Sequence, residues 1–473
     1  MNVSHKSLLL PILAMIMLVV MAGEAMLTAA LPVISNEFAV PGVFESWVLP
    51  MVLLVGAAAA PFIGTAGDQY GRRRLLLICL IIYLAGLICG LLAQNIWILL
   101  ISRALQGVGI ASFPLAYALV REQLSNRDAD VGIGVISATY GAGMFLGVII
   151  GSFIIEFFSW RMTYLPLIVL IVILIAMTVK FIHDSPVAGH KSKPCSLDWV
   201  GFITLLSALL LFLSTLSYED SDLQGGNIRI LLGLGAIGFA GFFVRHELRF
   251  SRPLVDLHLA VKKPVLLLIG IGTLTVLSFL MFLQEMPFLI QSSTGLGLTA
   301  ASVGLILMPG TLCDMIAGPV TGRMVVSRGV KPACIIGSLL LVLSIAILLV
   351  IKPSFYLLVV VWMIFSAGMS MTATACIIAI IDYVPRSRTA EATGLMQSVQ
   401  TIGGMFGPVI TGLVLATATV TTMKDGVVWT MPAEETFGFV HGIIFFICII
   451  ILCCSLILRS TVPEINSDVI KTR

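Results

Sequence analysis

Gly64-Thr65-Ala66-Gly67-Asp68-Gln69-Tyr70-Gly71-Arg72-Arg73-Arg74 separates two long apolar runs, roughly 43–63 and 75–92. With three glycines, three arginines and one aspartate, the stretch reads as a short, tight, strongly charged turn of eleven residues. Between apolar runs of membrane length, such a turn is a loop held at one face of a bilayer. Its arginines choose the face, because loops rich in Lys and Arg stay in the cytoplasm. Asp68 is placed to accept hydrogen bonds from the amide end of a neighbouring helix, where negative charge is favoured. The glycines let backbones approach closely. An ordinary basic cytoplasmic loop accounts for the same composition.

The rest of the chain extends this pattern. Of 473 residues, 59% are hydrophobic and 11% charged, against about 25% charged in a soluble domain. The chain is therefore a polytopic membrane protein, and its net charge of +3 matters less than where the charges fall. A span needs about 20 mostly apolar residues. On that basis fourteen are expected, at about 8–31, 43–63, 75–92, 96–119, 131–155, 162–182, 197–217, 229–245, 264–290, 299–322, 332–351, 354–380, 391–418 and 437–459. The N-terminal run lacks a small-residue cleavage site and is followed at once by further spans, so it reads as span 1 rather than a leader. An even count puts both termini on one side. With the N-terminus inside, 22 of the 27 basic residues face the cytoplasm, while outer loops carry Glu219-Asp220-Ser221-Asp222 and Glu434-Glu435. A multi-pass plasma-membrane protein with both termini cytoplasmic is expected. The nine cysteines lie mostly inside apolar runs and match no zinc spacing, so no metal site is expected.

The chain also repeats itself. Ala60-Pro61, Gly64, Gly71 and Arg73 return 258 residues later as Gly318-Pro319, Gly322, Gly329 and Lys331. Gly134, Gly143 and Gly147 return 260 residues later as Gly394, Gly403 and Gly407. That offset spans eight helices. The expected architecture is thus all-α, with six spans in 1–182, two extra spans in a linker over 183–263, and six spans in 264–473. Duplicated halves around a central site are a common transporter plan.

These residues resemble a known family. Gly64-x-x-x-Asp68-x-x-Gly71-Arg72-Arg73 is similar to the loop 2–3 signature of the major facilitator superfamily, and Arg103-Ala-Leu-Gln106-Gly107-Val-Gly109 to its helix 4 motif. Ser46-Trp47-Val48, Ser159-Trp160-Arg161 and Pro287-Phe-Leu-Ile-Gln291…Gly295…Gly304…Pro309 resemble the 14-helix drug:proton antiporter branch. The likeness covers nearly the whole chain and is specific for the superfamily, not for a substrate. Three departures stand out. Gln69 follows the loop aspartate where Arg is usual. The helix 5 antiporter motif reads Gly143-x-x-x-Gly147-Val148-x-x-Gly151-Ser152, with Val148 in place of proline, whereas span 13 keeps Gly403-x-x-x-Gly407-Pro408. Val326 stands where the second-half loop would carry an aspartate, leaving that copy a packing role.

Charged groups inside spans are costly and mark pathways. Four stand out: Glu24, Arg103, Glu285 and Asp314. Asp314 lies nine residues from Arg323, so roughly 13 Å from the inner end of its span and near the midplane. There a lone carboxylate lets a proton and a cation compete, since burial favours the neutral form and a nearby cation the charged one. The resemblance implies the same, because cationic-drug exporters of the family use a span 10 acid. A structural aspartate bonded to nearby Thr or Ser is the bland alternative. Glu24 and Arg103 lie at similar depth and are expected to pair, either to tie helices together or, by family analogy, to keep a carboxylate titratable. In many family members the helix 1 acid is one residue earlier, where this chain has Gly23. Glu285 is about five residues from the outer end of its span, within reach of water or of a departing substrate; with Asp314 and Glu24 it is a candidate to bind substrate or a proton, and Arg103 is the candidate for proton coupling.

The glycines of spans 5 and 13 let helices approach and slide; static packing explains them equally well. Pro50, Pro61, Pro114, Pro166, Pro309 and Pro408 remove helical hydrogen bonds and bend helices locally. Trp47, Tyr140, Phe145, Phe279, Phe282 and the methionines are candidates to line an adaptable apolar cavity, with core or lipid packing as the commoner use.

No phosphate-binding loop, metal cluster or soluble nucleotide domain is legible, so the chain reads as neither an enzyme nor ATP-driven. The expected function is proton-coupled export of lipophilic, cationic compounds by alternating access, without a cofactor. The expected partners are those small molecules, protons and membrane lipid, with no nucleic acid, and the expected state is a monomer. Export of one metabolite or lipid is the alternative within the class. A non-transporting membrane sensor is the alternative outside it, disfavoured by the intact signature loop and Arg103.

Overall fold

The protein is described as a computed structural model over residues 3–38, 47–124, 126–182, 198–217, 225–249, 263–383, 389–424 and 427–458. Seventeen α-helices and one hairpin make up these residues. The first ten helices are α1 (Val3–Met26), α2 (Leu31–Phe38), α3 (Val48–Tyr70), α4 (Arg72–Leu91), α5 (Ile96–Ile110), α6 (Phe113–Gln123), α7 (Asn126–Phe157), α8 (Tyr164–Phe181), α9 (Trp199–Ser217) and α10 (Gly225–Glu247). The others are α11 (Lys263–Gln291), α12 (Ala300–Arg328), α13 (Val330–Val350), α14 (Phe355–Tyr383), α15 (Thr389–Gly404), α16 (Phe406–Ala416) and α17 (Glu434–Ile457). Among the described residues, 11 helices are long and apolar enough to cross a membrane; three shorter apolar segments lie at Val48–Ala60, Gly141–Phe157 and Trp199–Thr215.

Three of the expected spans are broken, each just before a proline. A 3-10 turn, Thr28–Ala30, separates α1 from α2 ahead of Pro32; α5 stops at Ala111 ahead of Pro114; α15 stops at Met405 ahead of Pro408. A proline withholds the N–H that the carbonyl four residues back needs, so the ladder fails there. Pro287, Pro309 and Pro319 sit inside helices that continue through them.

The opening stretch corrects the expected eleven-residue turn. Helix α3 runs on to Tyr70, and only Gly71, at φ 100°, leaves the helical path before α4 starts at Arg72. A positive φ is open to glycine without steric cost. Gly64 and Gly67 instead stay helical because their faces pack on α6: a Cβ at 64 would lie 3.9 Å from Pro114, and one at 67 would strike Leu115. The repeat is matched in the backbone, since Gly329, at φ 87°, separates α12 from α13 as Gly71 separates α3 from α4. The side chains of Asp68 and Val326 lie outside the described residues.

The first eight helices pack on one another, with α1 against α7 and α5 against α3 and α4; α11 to α17 form a second group, with α14 against α12 and α13 and α11 against α15, α16 and α17. In the first group Gly143, Gly147 and Gly151 lie on the α1 backbone: a Cβ at 143 would sit 2.6 Å from the Leu18 carbonyl oxygen, and those at 147 and 151 would overlap the carbonyls of Ala22 and Met26. In the second, Gly403 and Gly407 lie on α11, against Thr273 and the Leu277 carbonyl. These stripes hold helices together inside each group. The seam between groups uses another face of α7, where Ser152 meets Gly304 and Gly141 approaches Met315.

A second correction concerns the chain after α16, where no strand is expected from the apolar pattern. Strands β1 (Thr419–Lys424) and β2 (Val427–Pro432) form an antiparallel hairpin, with Thr419 opposite Pro432 and Lys424 opposite Val427. It lies at the end of the bundle opposite Arg72–Arg74. Asn36 of α2 accepts a hydrogen bond from the Thr430 amide at 3.0 Å, and Thr294 donates to the Pro432 carbonyl at 2.7 Å.

Helix α9 begins with an Asp198 cap, whose carboxylate accepts from the Gly201 amide at 2.7 Å and meets His246 of α10 at 2.7 Å. Its Trp199 and Phe202 pack on Phe62 of α3 at 4.4 and 5.2 Å, and its Phe212 meets Phe406 of α16 edge-on at 5.0 Å. The inserted pair therefore touches both groups of helices. Behind it, α10 turns Ile230, Leu231, Leu234 and Ile237 outward.

Candidate functional site

Arg103, with 0% of its surface exposed, is the centre of a polar knot among the first helices. Its five N–H donors are all engaged. Nε donates to the Val48 carbonyl at 2.9 Å, Nη1 to Gln106 Oε1 at 2.9 Å and the Gly23 carbonyl at 3.4 Å, and Nη2 to Glu24 Oε2 at 3.1 Å and the Glu24 carbonyl at 3.4 Å. Gln106 passes its amide to Ser102 Oγ at 2.8 Å, and Ser102 donates to the Gly86 carbonyl at 2.8 Å. One guanidinium thus ties α1, α3 and α5 together, and Ser102 adds α4. The buried hydroxyls of Tyr83 and Tyr164 border this knot, that of Tyr164 beside Gln106 and Ser102. A Cβ at Gly23 would strike the Tyr83 hydroxyl. In this chain a side chain at position 23 would have to displace the Tyr83 hydroxyl, and the carboxylate stands at 24.

Arg72 and Arg73 act inside the same group of helices. Arg72 meets Glu122 at 3.1 Å and donates to the Ala118 carbonyl at 3.1 Å; Arg73 donates to the Val179 carbonyl at 2.7 Å. Val179 lies in the last turn of α8, where exposed carbonyls favour a cation. Glu122 is not singled out by the sequence, although Arg121-Glu122-Gln123 marks a charged helix end.

Asp314 sits on the α12 stripe Gly310–Asp314–Gly318, which faces α14. A Cβ at Gly310 would meet Trp362 and Ser366, one at Gly318 would lie 3.9 Å from Ser370 and Thr374, and Ser370 donates to the Asp314 carbonyl at 3.0 Å. Trp362 anchors the stripe by donating to the Leu307 carbonyl at 3.0 Å. Asp314 is half-buried, and among the described residues its carboxylate has no cationic partner.

Glu285 does not reach water. It is fully buried on α11, with Oε1 3.0 Å from His441 Nε2 of α17. The approach is off the line a hydrogen bond needs, and neither carboxylate oxygen, His441 Nε2 nor the amide of buried Gln284 has an aligned partner. Phe282 stands edge-on to His441 at 6.3 Å and against Trp362 and Phe365 at 5.4 and 5.0 Å. Phe279 joins that cluster through Trp362 at 5.7 Å. His441 carries no mark in the sequence beyond being a histidine in an apolar run. The three acids are not brought together: Glu24 pairs in the first group, Glu285 in the second, and Asp314 with neither.

At the hairpin end, among the described residues, three hydrogen bonds cross between the groups. Gln291 donates to the Ala29 carbonyl at 2.9 Å, the Ala301 amide donates to Glu156 at 3.2 Å, and Asn36 accepts from Thr430. Glu156 thereby caps α12 from the other side of the seam. Nearby, Glu37 accepts from Trp160 at 2.6 Å and meets Arg161 at 2.7 Å, while Arg161 stacks on Trp160 at 4.3 Å. The Ser159-Trp160-Arg161 triplet is thus a clamp on the end of α2.

Two duplicated helix groups, broken spans and buried charges are the plan of a secondary transporter, and the family model described as Major Facilitator Superfamily matches residues 13–312 and 286–471. The chain belongs to the Major Facilitator Superfamily. It is similar to the multidrug transporter protein MdtP of Bacillus subtilis, 25% identical over 403 residues that cover 83% of this chain and 72% of that one. It is also similar to the multidrug efflux pump LfrA of Mycolicibacterium smegmatis, 22% identical over 412 residues, or 86% and 80% of the two chains. Its fold matches the crystal structure of a mutant of the nucleoside transporter NupG with TM-score 0.65 at 13% identity, covering 95% of this chain and 99% of that one. It is a multi-span membrane transporter of small molecules and not an enzyme.

Proposed function

We propose that this transporter exports lipophilic, cationic compounds in exchange for protons, by alternating access and without a cofactor. The observation that carries this reading is Asp314. Glu24 and Glu285 each have a basic partner, whereas the Asp314 carboxylate, half-buried within its span, has none among the described residues. A carboxylate without a resident counter-charge is the group on which a cation and a proton compete. The printed names of MdtP and LfrA support efflux of drugs. In this proposal the chain works as a monomer in the plasma membrane with both termini cytoplasmic. Its spans number fourteen, six over 1–182, two over 183–263 and six over 264–473, and the crossing hydrogen bonds of Gln291, Glu156 and Asn36 close its outer end.

The test is a pH-gradient dequenching assay in inverted vesicles, with ethidium and tetraphenylphosphonium as cations set against a neutral lipophile. Proton release on adding either cation, lost in Asp314→Asn at equal membrane abundance, is expected. An unchanged response in Asp314→Asn removes this residue from the mechanism. A response to the neutral compound alone removes the cationic substrate class.

A further inference from the structure

The two helix groups hold their buried acids in chemically different ways. Glu24 faces Arg103, whose guanidinium keeps its proton at any physiological pH. Glu285 faces His441, whose ring can carry one proton or two. At 3.0 Å the charge on either group is felt by the other, and both groups are shut away from solvent. Neither carboxylate oxygen nor Nε2 is committed to another hydrogen bond, and the neighbouring Gln284 amide is equally unsatisfied. Polar groups left unpaired in a membrane interior are expensive and are kept where they do something.

Other charges do not account for the pair. On α17, Glu434 and Glu435 are exposed, and Glu434 holds Lys352 at 3.2 Å. Glu37 of α2 is held by Arg161, and Asp314 with Cys313 lies on α12. Arg323, Arg328 and Lys331 sit at the far end of α12 and the start of α13, Cys448 is seven residues along α17 from His441, and Cys376 is more than ten residues along α14 from Phe365. Among the described residues none of these forms an ion pair with Glu285 or His441.

We propose that Glu285 and His441 form a proton-binding site of the C-terminal group, filled from the hairpin end when the helix groups part there. The loaded pair carries one proton more than the empty one, on the carboxyl or on the ring, and is net neutral; the empty pair is a carboxylate beside a neutral imidazole, with net charge −1. A net-neutral pair is far cheaper to seal away from water than a lone anion, so closure of this end selects the loaded form. The closing contact is near. Gln291, which holds the Ala29 carbonyl across the seam, lies six residues beyond Glu285, or roughly 9 Å along α11. Parting that contact unroofs the outer turns of α11 and opens a route for protons. The use of the site in exchange rests on the export reading; its ability to bind a proton does not.

The test is an infrared titration of the purified full-length protein carrying ¹³C-labelled glutamate, followed from roughly pH 5 to pH 8, above the ordinary range of an exposed glutamate. A glutamic-acid band that titrates in this range, vanishes in E285Q and moves its midpoint by about one pH unit or more in H441Q is expected. E285D and H441N stand in where a first variant does not purify as a monodisperse species. The wild-type titration needs no variant: the absence of any titrating glutamic-acid band overturns the proposal, as does a band that E285Q or H441Q leaves unmoved. Titration present, with no proton release on adding ethidium to inverted vesicles, removes the export reading and leaves the site standing. Titration absent, with ethidium exchange intact, removes the site and leaves export.

Discussion

The Arg103 guanidinium lies 3.1 Å from the Glu24 carboxylate, with neither group open to water. Removing one member of such a pair strands a buried charge, at a cost of about 3–5 kcal/mol, whereas replacing both with apolar groups of similar volume is often neutral. Arg103→Met and Glu24→Leu are each expected to lower the melting temperature in detergent sharply, and the double variant to recover most of the loss. Arg103→Lys is expected to fail as well, because an ammonium has three donors where five are used. Melting temperatures read by fluorescence-detected gel filtration decide this. Single variants as stable as the parent would show that the knot carries no structural weight.

How far the sequence reveals this arrangement depends on whether the cause is local. Span positions are legible because bilayer burial needs long apolar runs; the helix ends fall within a few residues of the expectation except where a span extends past its apolar part, as α1, α2, α3 and α12 do. The pairing of Glu24 with Arg103 is legible from equal depth. The other partners of Arg103 are not, since the Val48 and Gly23 carbonyls leave no mark in residue type. Gly64 and Gly67 read as turn formers because glycine serves both as a breaker and as a small packing surface, and only Pro114 and Leu115 across the gap tell the two apart. His441 is invisible for the same reason: its meaning comes from Glu285, 156 residues away. The hairpin does carry a local signal, Asp425-Gly426 between two β-branched runs, which the apolar pattern of the flanking spans overshadows.

The glycine stripes separate close packing from conformational need. A Cβ at Gly147 would overlap the Ala22 carbonyl, whereas nothing lies within 4 Å of one at Gly322, a glycine of the repeated signature. Gly147→Ala is expected to destabilise by about 1–3 kcal/mol through overpacking. Gly322→Ala is expected to be neutral or to stabilise by up to about 1 kcal/mol, the helix-propensity gain. Thermal unfolding of the two variants side by side checks the contrast. Equal effects would mean that α7 can move off α1 freely.

Closure at the hairpin end can be trapped. A Cβ at Gly304 would lie 2.9 Å from the Ser152 Cβ, so a shift of under an ångström brings a cysteine pair into the roughly 3.5–4.5 Å that a disulfide spans. Ser152→Cys with Gly304→Cys is expected to cross-link under mild oxidation, abolish transport, and regain it on reduction. Each single cysteine is expected to transport before and after oxidation. Failure of the pair to cross-link in membranes would mean that the seam stands open there.

The inserted helices offer a test of what holds them. Phe212 of α9 meets Phe406 of α16 edge-on at 5.0 Å, while Phe62 of α3 packs between Trp199 and Phe202. An edge-to-face aromatic pair contributes about 0.5–1.5 kcal/mol beyond the area it buries, and a double-mutant cycle isolates that part. Phe212→Ala and Phe406→Ala are expected to show a coupling of that size in thermal unfolding. Leu234→Ala on the outward face of α10, 62% exposed, is expected to change stability by no more than about 0.5 kcal/mol. The contrast follows from position: the aromatic residues of α9 meet both helix groups, whereas Leu234 lies on the face of α10 that is turned outward. A coupling near zero for Phe212 and Phe406 would mean that α9 rides with the N-terminal group alone.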